Sequence, residues 1–163
     1  MSAAAPPPEV VLNMAARADG VAVVRQALAG MADALAFDAA VLSDMKMAVT
    51  EACTNVVVHA YDEDPGQLEV QMLAGEQDIT IVVRDHGSGI QPRPSREGPP
   101  ALGLGLPLIA ALSDAFELHG TAGEGTEVRM TFSYLRESDP AAVHPVSGSL
   151  GLDGRWEPDE PPA

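Results

Sequence analysis

The apolar run TEACTNVVVHAY, Thr50–Tyr61, carries three polar side chains, Glu51, Asn55 and His59, at intervals of four. On a helix that spacing stacks them along one stripe. Such a stripe is either an ordinary wet face or a carboxylate and an amide held together over a ligand. Three glycine-bearing turns follow it. In RDHGSGI, Asp85 closes a strand and Gly87 and Gly89 come at alternate positions. This pattern suits an acceptor at the bottom of a pocket, with glycines letting the backbone approach a flat ring. In GLGLPLIAAL, Gly103–Leu112, the glycines precede a helix whose start is marked by Pro107. Backbone N–H groups exposed there attract an anion, and the helix dipole adds to the attraction. In GEGTEV, Gly123–Val128, a glycine turn leads into a last strand. Each turn alone is an ordinary loop, so their order carries more than any one of them.

The elements that must position these residues are legible from hydropathy. VVLNMAA is a candidate first strand. Asp19–Phe37 places Val23, Ala27, Met31 and Leu35 on one helical face, with Asp19 as N-cap. A second helix starts near Asp38 and runs through the polar stripe to about Tyr61. QLEVQML and DITIVVRDH alternate strictly, presenting Leu68, Val70 and Met72, then Ile79, Ile81 and Val83, to one side. AFELHG and TEVRMTFSYL complete the set, the latter with Val128, Met130, Phe132 and Tyr134 in alternation. Strands with one apolar face need a cover, which the helices supply. The expected fold class is α/β (α+β): a two-layer sandwich of a mixed, mostly antiparallel sheet under helices.

The 163 residues suffice for one domain with a sizeable core. The domain is expected over residues 1–136, with residues 1–8 an unstructured leader. Residues 137–163 hold five prolines, six acidic residues and one arginine, and read as a disordered acidic tail. Nine basic against twenty-four acidic residues give a net charge of −15, which argues against nucleic acid or an anionic membrane as main partner. The single cysteine, Cys53, supplies no intramolecular disulfide and reads as a small buried residue. The chain has neither a signal-peptide pattern nor a bilayer-length apolar run, so the expected location is the cytoplasm. Between the first two glycine turns lies QPRPSREGPPA, Gln91–Ala101, a connector or a lid over a site. Its Arg93 and Arg96 would place cationic groups beside an anion.

Taken together, E-x-x-x-N on a helix, D-x-G-x-G, G-L-G-L and G-x-G-T fall in that order from Glu51 to Thr126. This set resembles the Bergerat-fold (GHKL) ATPases, the superfamily of gyrase and the histidine kinases. Within it the chain looks most like the stand-alone anti-sigma-factor serine/threonine kinases, whose motif helix reads almost as AVTEACTNVVVHAY does here. The resemblance implies ATP and Mg²⁺ as ligands. It assigns Asn55 to the metal and the nucleotide, Glu51 to general-base work, and Asp85, helped by Thr126, to adenine. Gly87 and Gly89 would shape the adenine pocket, and the backbone of Gly103, Leu104, Gly105 and Leu106 would hold the phosphates. Arg25, the sole cation of the first helix, would meet protein partners. The implied partners are a STAS-domain anti-anti-sigma factor, a sigma factor and a second copy of the chain in a homodimer. Two other readings stand beside this one: an ATP-sensing binding module with little transfer activity, and a detached histidine-kinase catalytic domain. Glu51 disfavours the latter, because in histidine kinases the motif commonly begins with Asn.

Overall fold

A computed structural model of the chain describes residues 7–62, 65–89, 105–121, 123–134, 148–150 and 156–158. Alternation produces five main strands, β1 (Glu9–Ala15), β2 (Gln67–Ala74), β3 (Asp78–Asp85), β4 (Ala115–Thr121) and β5 (Gly125–Ser133). They form one sheet in the order β1-β2-β3-β5-β4. Every pairing in it is antiparallel, so the sheet is wholly rather than mostly so. Three helices cover one face: α1 (Ala18–Leu35), α2 (Ala39–Asn55) and α3 (Gly105–Leu112). The result is the two-layer α+β sandwich that the one-sided apolar pattern requires.

The apolar sets of β2, β3 and β5 are buried as their period predicts: Leu68, Val70, Met72, Ile79, Ile81, Val83, Val128, Met130 and Phe132 all face the helices. The other face carries a charged ladder. Arg84 donates to Glu127 through Nε, and Arg129 reaches the same carboxylate at 3.2 Å. These hydrogen bonds, Arg84's foremost, hold the Glu127 carboxyl below its ordinary pKa against the opposing effect of partial burial. Val82 lies on that outer face too, yet it is only 3% exposed, with Gln71 and Arg129 as its cross-strand partners.

Helix α1 departs from expectation in two respects. Its N-cap position is Arg17, which makes no side-chain cap bond. Asp19 instead sits inside the first turn, where the helix dipole favours a carboxylate, and it accepts the Gly20 N–H at 3.1 Å. The buried stripe is Gly20, Val24, Leu28, Met31 and Ala32, while Val23 is 51% exposed. Two adjacent valines fit two stripes one residue apart, and contact with the sheet selects the second. Helix α2 starts as its sequence implies, the Asp38 side chain accepting from Ala40 N–H at 2.9 Å and Val41 N–H at 3.2 Å. Its inner face buries Val41, Met45, Ala48, Val49, Ala52 and Cys53. Burial pushes the Cys53 thiol up to about 12. After Asn55 the helix widens into a π turn, Val56–Ala60, an irregularity that often marks functional sites.

Of the segment expected to be a disordered tail, the described parts are β6 (Gly148–Leu150) and β7 (Trp156–Pro158), which pair antiparallel with each other. The rest of it lies outside the described residues. In the leader, the Pro8 carbonyl accepts the Ala74 N–H at 3.0 Å, extending the β1–β2 ladder by one bond.

Candidate active site

The stripe on α2 meets the start of α3. Glu51 and Asn55 are both half-buried, and both side chains converge on Gly105. A Cβ built on Gly105 would stand 3.0 Å from Glu51 Oε2, 3.2 Å from Asn55 Nδ2 and 3.4 Å from Asn55 Oδ1. A carboxylate and an amide therefore lie against a glycine at the head of a helix. Leu106 follows on the same turn and packs partly against the core. Pro107, next in line, has no N–H to bond, which suits the first turn. A helix N-terminus flanked by a carboxylate and an amide can receive an anion together with a hard cation.

The second part of the site lies at the end of β3. Asp85 is the buried charged residue among those described, at 5% exposure. Its register partner on β5 is Thr126, so the two side chains stand side by side on the helix-facing surface. Asp85 Oδ1 accepts the Gly87 N–H at 2.9 Å. Main chain presses on this strand end from two directions. A Cβ on Gly87 would meet the Ala60 carbonyl oxygen at 2.0 Å, and one on Gly125 would meet the Asp85 carbonyl oxygen at the same distance. Gly125 also has φ +89°, a conformation that disfavours any side chain. Gly89 closes the turn, and Gly123 N–H donates to the Ser88 carbonyl at 2.9 Å, joining the first and third glycine turns. A cavity of about 230 Å3 at this end of the sheet is lined by Asp85, His86, Gly125 and Thr126 together with Arg84, Glu127 and His119 of the outer, charged face.

The structure thus brings together Glu51, Asn55, Gly105 and Leu106 as one group, and Asp85, Thr126, Gly87 and Gly89 as another. Arg25 is exposed on α1. Gly103, Leu104, Arg93 and Arg96 lie outside the described residues. Sequence reasoning passed over two residues that the geometry brings forward, Ala60 and Tyr61. Ala60 C=O accepts the Ser88 N–H at 3.0 Å, and Tyr61 Oη accepts the His86 N–H at 2.9 Å. A tyrosine in a chain with only two, placed where the motif helix ends, was the available signal.

Comparison with known proteins agrees with this geometry. Residues 14–132 match the model of the histidine kinase-like ATPase domain family. The chain is 34% identical over 151 residues to the serine-protein kinase RsbW of Bacillus mycoides, covering 85% of this chain and 93% of that one. The serine-protein kinase RsbW of Bacillus anthracis matches to the same extent. Among solved structures, the RsbU and RsbW domains of a Mycobacterium tuberculosis protein superpose with a TM-score of 0.61 at 24% identity. That match covers 78% of this chain and 32% of the larger one, and it bears on the fold alone. The chain belongs to the histidine kinase-like ATPase domain family, in its serine-protein kinase branch. Use of ATP follows from that membership.

Proposed function

We propose that this chain is a Mg·ATP-dependent protein serine/threonine kinase that acts as an anti-sigma factor. It phosphorylates a Ser or Thr of a STAS-domain anti-anti-sigma antagonist in the cytoplasm and sequesters a sigma factor, working as a homodimer. The observation that carries the kinase reading is the convergence of Glu51 and Asn55 on Gly105 at the head of α3. Partner switching requires that affinity differ between nucleotide or phosphorylation states, and Arg25, exposed on α1, is available to a protein partner.

The residues fit the chemistry. Asn55 offers an amide oxygen to Mg²⁺. Among the described residues no cluster of three His, Cys, Asp or Glu side chains could hold a metal, so phosphate and water would complete its shell. The ion, when bound, neutralises charge on the phosphates. Asp85 accepts from the adenine amino group, with Thr126 beside it. The N–H groups at the start of α3 hold the phosphates, with those of Gly103 and Leu104. Arg93 and Arg96 would supply positive charge beside them. Glu51 takes the proton from the acceptor hydroxyl as its oxygen bonds to the γ-phosphorus. The bond from γ-phosphorus to the bridging oxygen breaks, and ADP leaves with that electron pair.

The test is transfer of labelled γ-phosphate from Mg·ATP to candidate STAS-domain proteins, comparing wild type with Glu51→Gln. Label on a Ser or Thr, lost in the variant while ATP still binds, is the expected result. No label on any candidate, with ATP binding intact, would replace the kinase with an ATP-sensing binding module.

A further inference from the structure

The turn that carries Asp85 is held from outside its own strand. Its three successive N–H groups all have partners. His86 N–H goes to Tyr61 Oη at 2.9 Å, Gly87 N–H to Asp85 Oδ1 at 2.9 Å, and Ser88 N–H to the Ala60 carbonyl at 3.0 Å. Two of the three partners are consecutive residues, Ala60, which ends the π turn that extends α2, and Tyr61, the first residue past it. Tyr61 is itself anchored, its hydroxyl donating to the Gln67 carbonyl at 2.6 Å. Its ring lies on Gly66, where a Cβ would come within 2.0 Å of the ring. One phenol oxygen therefore joins three segments: the end of the helix bearing Glu51 and Asn55, the start of β2, and the turn after β3.

We propose that Tyr61 is a positioning residue for the nucleotide, setting the Asp85–Ser88 turn at a fixed distance from the Glu51–Asn55 helix so that the adenine end and the phosphate end are presented together. The inference rests on the ATP-site reading given above. Both hydrogen bonds of the hydroxyl lie at exposed positions, so water can replace them when the hydroxyl is removed. Loss of the hydroxyl then costs little folding stability but frees the turn, which gives up pre-organisation for the base. The phosphate end, built on α2 and α3, does not depend on this bond.

Tyr61→Phe in the full chain should weaken ATP binding about tenfold and raise KM for ATP in proportion. The turnover number at saturating ATP should stay within about twofold, and the melting point of the nucleotide-free protein should hold. Competition by inorganic tripolyphosphate, which lacks a base, should be unchanged. Gly66→Ala, which displaces the same ring by another route, should reproduce the ATP-specific loss. Equal weakening of ATP and tripolyphosphate, or a lowered melting point with unaltered ATP affinity, would assign Tyr61 a purely structural role and overturn the proposal. So would a change in ATP affinity below about twofold in both variants. If wild type itself failed to bind ATP, the site reading would fall first, and that outcome would be seen before any variant was compared.

Discussion

Replacing Gly105 by alanine should separate folding from catalysis, because the two respond in opposite directions. The added Cβ would stand 3.0 Å from Glu51 Oε2, whereas ordinary contact begins at 3.4 Å, so the carboxylate must retreat by about 0.4 Å. Asn55 Nδ2, at 3.2 Å, must give by a smaller amount. Both atoms end flexible side chains, so the fold absorbs the change without moving backbone. Alanine is the better helix former by about 0.5–1 kcal/mol inside a helix, and only part of that applies at Gly105, the first residue of α3. Folding stability should therefore be unchanged to within about 0.5 kcal/mol, or slightly higher. Catalysis has no such tolerance, since a misplacement of about 1 Å can cost roughly a hundredfold. A displacement less than half as large, at the proposed base and the proposed metal ligand together, should lower transfer about tenfold, or about 1.4 kcal/mol of barrier. The assay pairs denaturant unfolding with single-turnover transfer of labelled phosphate to the proposed STAS-domain substrate. Transfer at the wild-type rate would refute the reasoning, since it would mean the Gly105 face is not where the chemistry lies. A loss of stability matching the loss of activity would refute it as well.

Two further outcomes follow from the charges and caps. Glu127 is held below its ordinary pKa by Arg84 and Arg129, so its contribution to stability is complete above the ordinary carboxylate value of 4.5 and is lost as pH falls through the lowered one. Glu127→Gln should remove that part of the acid limb in a melting-point profile, at a cost near neutral pH of about 0.5–1 kcal/mol, because the ladder is partly exposed. Asp38→Ala removes the acceptor for two N–H groups at the start of α2 and should cost about 1 kcal/mol in urea unfolding, leaving nucleotide affinity within twofold.

How far the sequence could be read depended on whether a feature repeats. Strand faces were legible because alternation leaves one choice of inward set, and Leu68–Met72, Ile79–Val83 and Val128–Phe132 took it. The motif helix was legible from its Asp38 cap and its stripe. The α1 stripe was ambiguous because Val23 and Val24 satisfy neighbouring registers, and only the sheet decides between them. Within the site, the resemblance assigned Asp85 and Thr126 to one end of the nucleotide, and the β3–β5 register makes the two residues neighbours. The Tyr61 junction was not legible, since it depends on a π turn that resets the helix phase after Asn55 and on a carbonyl and an N–H that every sequence supplies.

Two close main-chain approaches fix the strand end that carries Asp85, Gly87 against the Ala60 carbonyl and Gly125 against the carbonyl of Asp85 itself. Backbone atoms form both contacts, so neither glycine can take on a side chain by degrees. A substitution at either glycine is all or nothing. Gradual change in what the chain recognises must then come through surfaces that side chains do build, such as the exposed face of α1. The proposed seat for the base would stay constant while the partners diverge.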